Sequence, residues 1–376
     1  MLTKIQTNTD IKSFHNVEKC HFGEGSINNC KKIVKNKKNS ISVKSNFKKY
    51  AVYLIDEFFL NNNNLLNILG PDPDDLIKFI STKDEPTTNV IDNLVNEVKN
   101  NKKNNPYIII GIGGGITLDT SKALSNLLTN PGKAEDYQGW DLLSNPGVYK
   151  VGIPTISGTG AESTRTCVYT NNKNGLKMGM NSDFSVFNEI ILDPNLTKTV
   201  DHNQYFYTGM DAFIHCTESL DGRFRNAVAD CFSIEAQRLC REVFQDENIM
   251  SDKARKNLMV ASYLGGCAIG ASFVGVIHPF SAGLSVVFNL HHCIANCITM
   301  RSMEEFYPKF YEEFWRIVEK QKIFIPKNVC KDLKDEDYKK LINSTIKHEK
   351  PLCNALGENF KSVLTDQKIV DLFKKM

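Results

Sequence analysis

Residues 107–122 read YIIIGIGGGITLDTSK, and this stretch decides the fold. An apolar run, Tyr107–Ile110, enters a glycine cluster and leaves with helical spacing from Leu118 to Leu128. A buried strand, a glycine turn and a helix in that order build one unit of a parallel α/β sheet. Glycines allow close backbone approach to a pyrophosphate, and the free N–H groups of the next helix attract anions. Gly111 and Gly113 match the start of G-x-G-x-x-G, but position 116 is Ile, so the usual dinucleotide fingerprint is not met.

Working outward, Tyr50–Ile55, Leu76–Ile80, Lys150–Pro154 and Glu189–Leu192 read as further strands, with a helix over Val90–Val98. Alternating strands and helices predict a parallel sheet with ligands at the carboxyl ends of its strands. Asp56 ends the first strand, where its carboxylate can accept from a ribose diol or cap a helix; both readings stand. The loop Pro154–Glu162 offers Thr155, Ser157 and Thr159 beside two glycines, suited to a nicotinamide ribose or amide, or to a polar turn capping a helix.

Beyond about Leu196 helical spacing takes over: Ala227–Phe244, Asp252–Ala268, Met303–Lys320, Asp335–Ile346 and Gln367–Lys375. The expected architecture is an α/β dinucleotide-binding domain with a parallel sheet at 1–198, followed by an all-α metal-binding and substrate domain at 199–376. Within the second, Asp211 and His215 lie at i and i+4, one helix face. His278 and His292 follow. Three imidazoles and a carboxylate suit zinc or ferrous iron. A cation there polarises a substrate hydroxyl, and hydride then passes to a nicotinamide.

The bulk numbers exclude several classes. The 376 residues carry a net charge of +3, too mild for a nucleic-acid binder. Eleven cysteines without regular spacing do not form a secreted disulfide framework and fit a reducing cytosol. Met1–Asp10 is polar, and no apolar run reaches membrane-spanning length, so a cytoplasmic protein is expected. The Lys/Asn-rich stretches Lys31–Lys49 and Lys99–Asn105 read as solvated loops and helix ends.

These motifs resemble those of the iron-containing alcohol dehydrogenases, in the superfamily with glycerol dehydrogenase and dehydroquinate synthase. The matching residues are Gly113–Lys122, Pro154–Glu162, Asp193–Leu196, Gly209–Ala212 with His215, and His278 with His292. The resemblance implies a dehydroquinate synthase-like fold, likeness over nearly the whole chain, and assembly as a dimer or larger homo-oligomer. It implies four ligands to one divalent metal, Asp211, His215, His278 and His292. It also implies NAD contacts at Asp56, Gly114, Gly115, Thr117, Asp119, Thr155, Ser157, Thr159 and Lys177.

Asn130–Gly132, Tyr137–Asp141 and Asn181–Asp183 are similar to a branch that oxidises C8 of 3-deoxy-D-manno-octulosonate, a lipopolysaccharide sugar acid. A pyridoxal-phosphate aminotransferase would then consume the aldehyde. Many family members carry a histidine where this chain has Ala282, which leaves room for a bulky substrate and removes a proton relay. Pro279, directly after a ligand, is expected to bend its helix. His291 is a candidate relay or a structural residue. Arg165 is a candidate fork for a substrate carboxylate or a structural salt bridge. Other readings are a generic alcohol or polyol dehydrogenase and a dehydroquinate synthase-like lyase.

Overall fold

The computed structural model describes residues 14–41, 49–101 and 104–376. The opening segment Met1–Asp10 and parts of both Lys/Asn-rich stretches lie outside the described residues. The described residues divide into two compact units: His15–Ile156 with Ala161–Thr199, and Ser157–Gly160 with Val200–Met376 and Phe14.

The first unit alternates β1 (Lys19–Phe22), α1 (Asn29–Ser40), β2 (Ala51–Asp56), α2 (Asn63–Leu69), β3 (Leu76–Ile80), α3 (Thr88–Asn101), β4 (Ile108–Gly113) and α4 (Gly115–Leu127). It continues through β5 (Gly139–Trp140), β6 (Lys150–Pro154), β7 (Thr166–Thr170), β8 (Lys177–Asn181) and β9 (Glu189–Leu192). Six strands form a parallel sheet in the order β1-β9-β6-β4-β2-β3. Its inner strands β6, β4 and β2 are buried apart from Asp56, as parallel strands covered on both faces must be.

The sequence reading missed β1 and the small β5-β8-β7 sheet. It also took as solvated the stretch that forms α1, whose Cys30, Ile33 and Val34 are buried beneath lysines. The loop after β6 leads into β7 and caps no helix.

The second unit is helical: α5 (His202–Asp221), α6 (Ala227–Gln245), α7 (Asp252–Ala271), α8 (Ile277–Phe288), α9 (His292–Thr299), α10 (Pro308–Lys320), α11 (Asp335–Ile346), α12 (Glu349–Leu356), α13 (Phe360–Val363) and α14 (Asp366–Lys374). Asp201, Asn226 and Ser251 cap α5, α6 and α7 through side-chain oxygens, satisfying first-turn N–H groups. α10 begins at Pro308 rather than Met303, because proline suits a first helical position and Met300–Ser302 forms a separate turn. Pro279 sits in the first turn of α8, where its missing N–H costs no helical bond, so the expected bend is replaced by a helix start. No described helix is long and apolar enough to cross a membrane. All eleven cysteines are free thiols.

Candidate metal centre and nucleotide loops

In the first unit Asp56, Gly114, Gly115, Thr117 and Thr155 lie at the carboxyl ends of β2, β4 and β6, whereas Asp119 lies within α4 and Lys177 opens β8 of the smaller sheet. Gly113 is the last residue of β4, and a Cβ there would lie 2.7 Å from Thr117 Oγ1. Only glycine lets α4 rest this closely on the strand, so part of the glycine cluster serves packing. Gly114 is the N-cap of α4 with no side-chain cap, leaving first-turn N–H groups open. The Thr117 hydroxyl is buried without a hydrogen-bond partner. Asp56 caps the turn Glu57–Phe59, accepting from Phe58 N at 3.0 Å and from Thr82 Oγ1 at 3.4 Å. Burial raises its carboxyl above the usual range, opposed by the N–H groups of Phe58 and Gly114. Asp56 thus fills, at the carboxyl end of β2, the capping role, one of the two roles the sequence allowed. Thr155 N donates to Gly113 O at 3.1 Å.

Other candidates are already engaged. Asp119 Oδ2 accepts from Val168 N at 2.9 Å, and Oδ1 stands 3.5 Å from Lys122. Lys177 pairs with Glu85 at 2.8 Å. The Arg165 guanidinium lies between Asp141 and Asp183, with Nε 3.0 Å from Asp183 Oδ1.

Ser157–Gly160 belongs to the second unit. Gly158 has φ +156°, and a Cβ there would stand 1.7 Å from Thr208 O on α5. Ser262 Oγ on α7 accepts from Gly158 N at 2.8 Å, pinning the loop. The Ser157 hydroxyl is buried without a hydrogen-bond partner.

The same unit holds the metal candidates. Asp211 and His215 share a buried face of α5; His278 is the second residue of α8, and His292 the first of α9. Asp211 Oδ1 stands 3.3 Å from His278 Nε2, 3.6 Å from His215 Nε2 and 3.9 Å from His292 Nε2. Ligand atoms of Asp211, His215 and His278 all lie within 4.8 Å of one another. Donors at roughly 2.1 Å from a common centre in tetrahedral array stand roughly 3.4 Å apart, so the spacing fits a divalent cation. His292 stands slightly further out, its side chain 28% exposed against 4% for His215.

Electrostatics tell the same story. Burial disfavours the Asp211 carboxylate, yet the His215, His292 and His278 imidazoles hold its carboxyl well below the usual range. Burial pushes His215 down to about 4, keeping a ligating lone pair available. Burial also works against charge on His278, but Glu218 and Asp211 together hold it up to about 9. Asn296 Nδ2 donates to Asp211 Oδ1 at 2.6 Å, and Cys293 Sγ approaches Asp211 Oδ2 at 3.7 Å. His291 stands exposed as the N-cap of α9, and Ala282 is buried one turn beyond His278.

The sequence reading missed Glu218, Asn296 and Tyr307. Glu218 had a signal, since it lies seven residues after Asp211 and three after His215 on the same helix face. Asn296 sits four residues after His292. Tyr307 had none.

Comparison with known proteins places these motifs. Residues 18–194 match the family model described as iron-containing alcohol dehydrogenase, and residues 205–352 the C-terminal model of the Fe-containing alcohol dehydrogenase family. The chain is 37% identical over 192 residues to a sulfoacetaldehyde reductase of Bilophila wadsworthia, covering 50% of this chain and 49% of that one. It is 32% identical over 204 residues to an NAD-dependent methanol dehydrogenase of Bacillus methanolicus, covering 53% of each. The matches thus span about half the length of these curated relatives. Among solved structures, a 1,3-propanediol oxidoreductase superposes with TM-score 0.81 at 20% identity, over 96% of this chain and 99% of that one. A sulfoacetaldehyde reductase from Bifidobacterium kashiwanohense, in complex with NAD+, gives 0.76 at 19% identity, over 96% and 97%. At such identities these two show the fold.

Proposed function

Because the chain belongs to the iron-containing alcohol dehydrogenase family, we propose that it uses NAD and one divalent metal to oxidise a primary alcohol to an aldehyde. The observation that carries this reading is the convergence of His215, His278 and His292 on one oxygen of buried Asp211. When bound, the cation supplies Lewis acidity toward the substrate hydroxyl and NAD accepts the hydride.

The chain's own residues do the rest. Asp211 contributes the single negative charge, and its burial keeps water from screening that charge. Asn296 fixes the orientation of the carboxylate. The open N–H groups at the start of α4 receive a pyrophosphate, and Asp56 accepts from a ribose diol, a carboxylate that would repel a 2′-phosphate. Ser157 and Thr117 offer hydroxyls with no other partner. His292 is the fourth ligand in this reading.

For the substrate we take C8 of 3-deoxy-D-manno-octulosonate. The motifs around Asn130 and Tyr137 support it, as does the small side chain at Ala282. Arg165 already holds two carboxylates, so sugar-acid binding in this reading does not rest on it. Such an enzyme would act in the cytoplasm beside an aminotransferase that consumes the aldehyde.

Product analysis tests the proposal. Metal-loaded protein is incubated with the sugar acid and NAD, then read by NADH absorbance and by mass spectrometry after aldehyde trapping. A product lighter by two hydrogens, with NADH, is expected. Turnover of propanediol or glycerol without turnover of the sugar acid would retire the substrate and leave a generic alcohol dehydrogenase.

A further inference from the structure

Glu218 lies 1% exposed on α5 and receives three donors from outside its own helix. Ile277 N, the first N–H of α8, donates to Oε1 at 2.6 Å. His278 Nδ1 meets Oε2. Tyr307 O–H accepts from Val276 N at 3.1 Å and gives its own proton to the Glu218 carboxylate. One buried carboxylate thus caps α8, which has no side-chain cap from its own N-cap residue, and grips the imidazole one residue further on.

The two grips constrain each other. Ile277 N–H fixes Oε1, so Oε2 faces His278 Nδ1 and requires a proton there. The imidazole then turns Nε2, the atom whose lone pair a bound cation would take, toward Asp211 Oδ1 at 3.3 Å. We propose that Glu218 is a positioning residue for the metal centre, selecting the His278 tautomer that leaves Nε2 free to ligate; this rests on the metal reading above. Carboxylate partners of ligating histidines act in this way.

The test is Glu218→Gln. Backbone N–H at Ile277 can only donate, so the amide oxygen must face it. The amide NH2 then faces His278 Nδ1 and demands a lone pair there, which moves the proton to Nε2, the ligating atom. Zn2+ affinity is measured on the full chain by chelator competition, beside the melting temperature of the metal-free protein. The expected result is a loss of about 10- to 100-fold in Zn2+ affinity, while the metal-free melt reports separately the cost of breaking the buried His278–Glu218 pair. Tyr307→Phe, which leaves the tautomer in place, is expected to shift affinity by less than about 3-fold.

Equal Zn2+ affinity in wild type and Glu218→Gln would overturn the proposal. Absence of Zn2+ binding by wild type would instead overturn the metal reading, so the two failures are distinct. Should Glu218→Gln fail to fold, the wild-type zinc form decides: a long-range 15N–1H spectrum is expected to show His278 protonated at Nδ1, and protonation at Nε2 would overturn the proposal.

Discussion

At the scale of the residue, the site is a contest over one oxygen. Asp211 Oδ1 faces three imidazole nitrogens and an amide donor, and a divalent cation would take the lone pairs of all three imidazoles at once. Asp211→Asn is therefore expected to abolish stoichiometric metal and to lower kcat/KM about 1000-fold, several kcal/mol of lost charge stabilisation. Metal analysis alongside kinetics checks this; full metal content with full activity would refute it. The histidines should not be equal. His215 is almost fully buried and His292 partly exposed and further out, so His215→Ala should cost more metal affinity than His292→Ala, read by the same chelator competition. The reverse order would contradict the geometry. Asp211 and His215 were legible because helical spacing alone puts them side by side. Glu218 and Tyr307 were not, because their partners lie far along the chain and only the packing of α5 against the start of α8 brings them together.

At the scale of the element, Leu76–Ile80, Lys150–Pro154 and Glu189–Leu192 were read to the residue. Lys150–Pro154 and most of Glu189–Leu192 are buried, as covered parallel strands are, whereas Leu76–Ile80 is a half-buried edge strand marked by its apolar residues on either side of Lys78. β7 and β8, TCVYT and KMGMN, escaped notice because they mix polar and apolar residues and are half-buried. Helix starts were legible where a side-chain cap marks them, as at Ala227 and Asp252, and displaced where the apolar pattern runs past a turn, as before Pro308. The loop after β6 yields a prediction of its own. Gly158→Ala places a methyl group against the Thr208 carbonyl, which α5 cannot move without losing its helical ladder. The variant should lose more than about 4 kcal/mol of stability, the range reserved for severe backbone conflict. Thermal or urea melts read this directly, and a near wild-type melt would show that the loop yields.

At the scale of the whole molecule, the shift from strand to helical spacing near residue 196 announced two kinds of structure, and the contact division falls at Thr199 and Val200. What composition did not announce is the cost of buried charge. Lys150 opens β6 with its ammonium buried, donating to Phe184 O at 2.7 Å, and burial together with nearby Lys122 lowers its pKa to about 8. Between pH 8 and the ordinary lysine value the unfolded chain binds more protons than the folded one, so stability rises with pH through that window. Lys150→Met should then stabilise the protein at pH 7 by on the order of 2–3 kcal/mol, the advantage shrinking toward pH 10. Urea melts at the two pH values test it, and a variant no more stable than wild type at pH 7 would count against it.

The proposed metal ligands come from three helices separated by long stretches of chain: α5, the start of α8 and the start of α9. A cation seated among them is a staple as much as a reagent. It ties distant segments together only while they are folded, so its binding energy is subtracted from every unfolding event. Each tenfold rise in free ion above the dissociation constant then adds about 1.4 kcal/mol to the stability of the helical unit. Its melting point becomes a gauge of how much metal the surroundings supply.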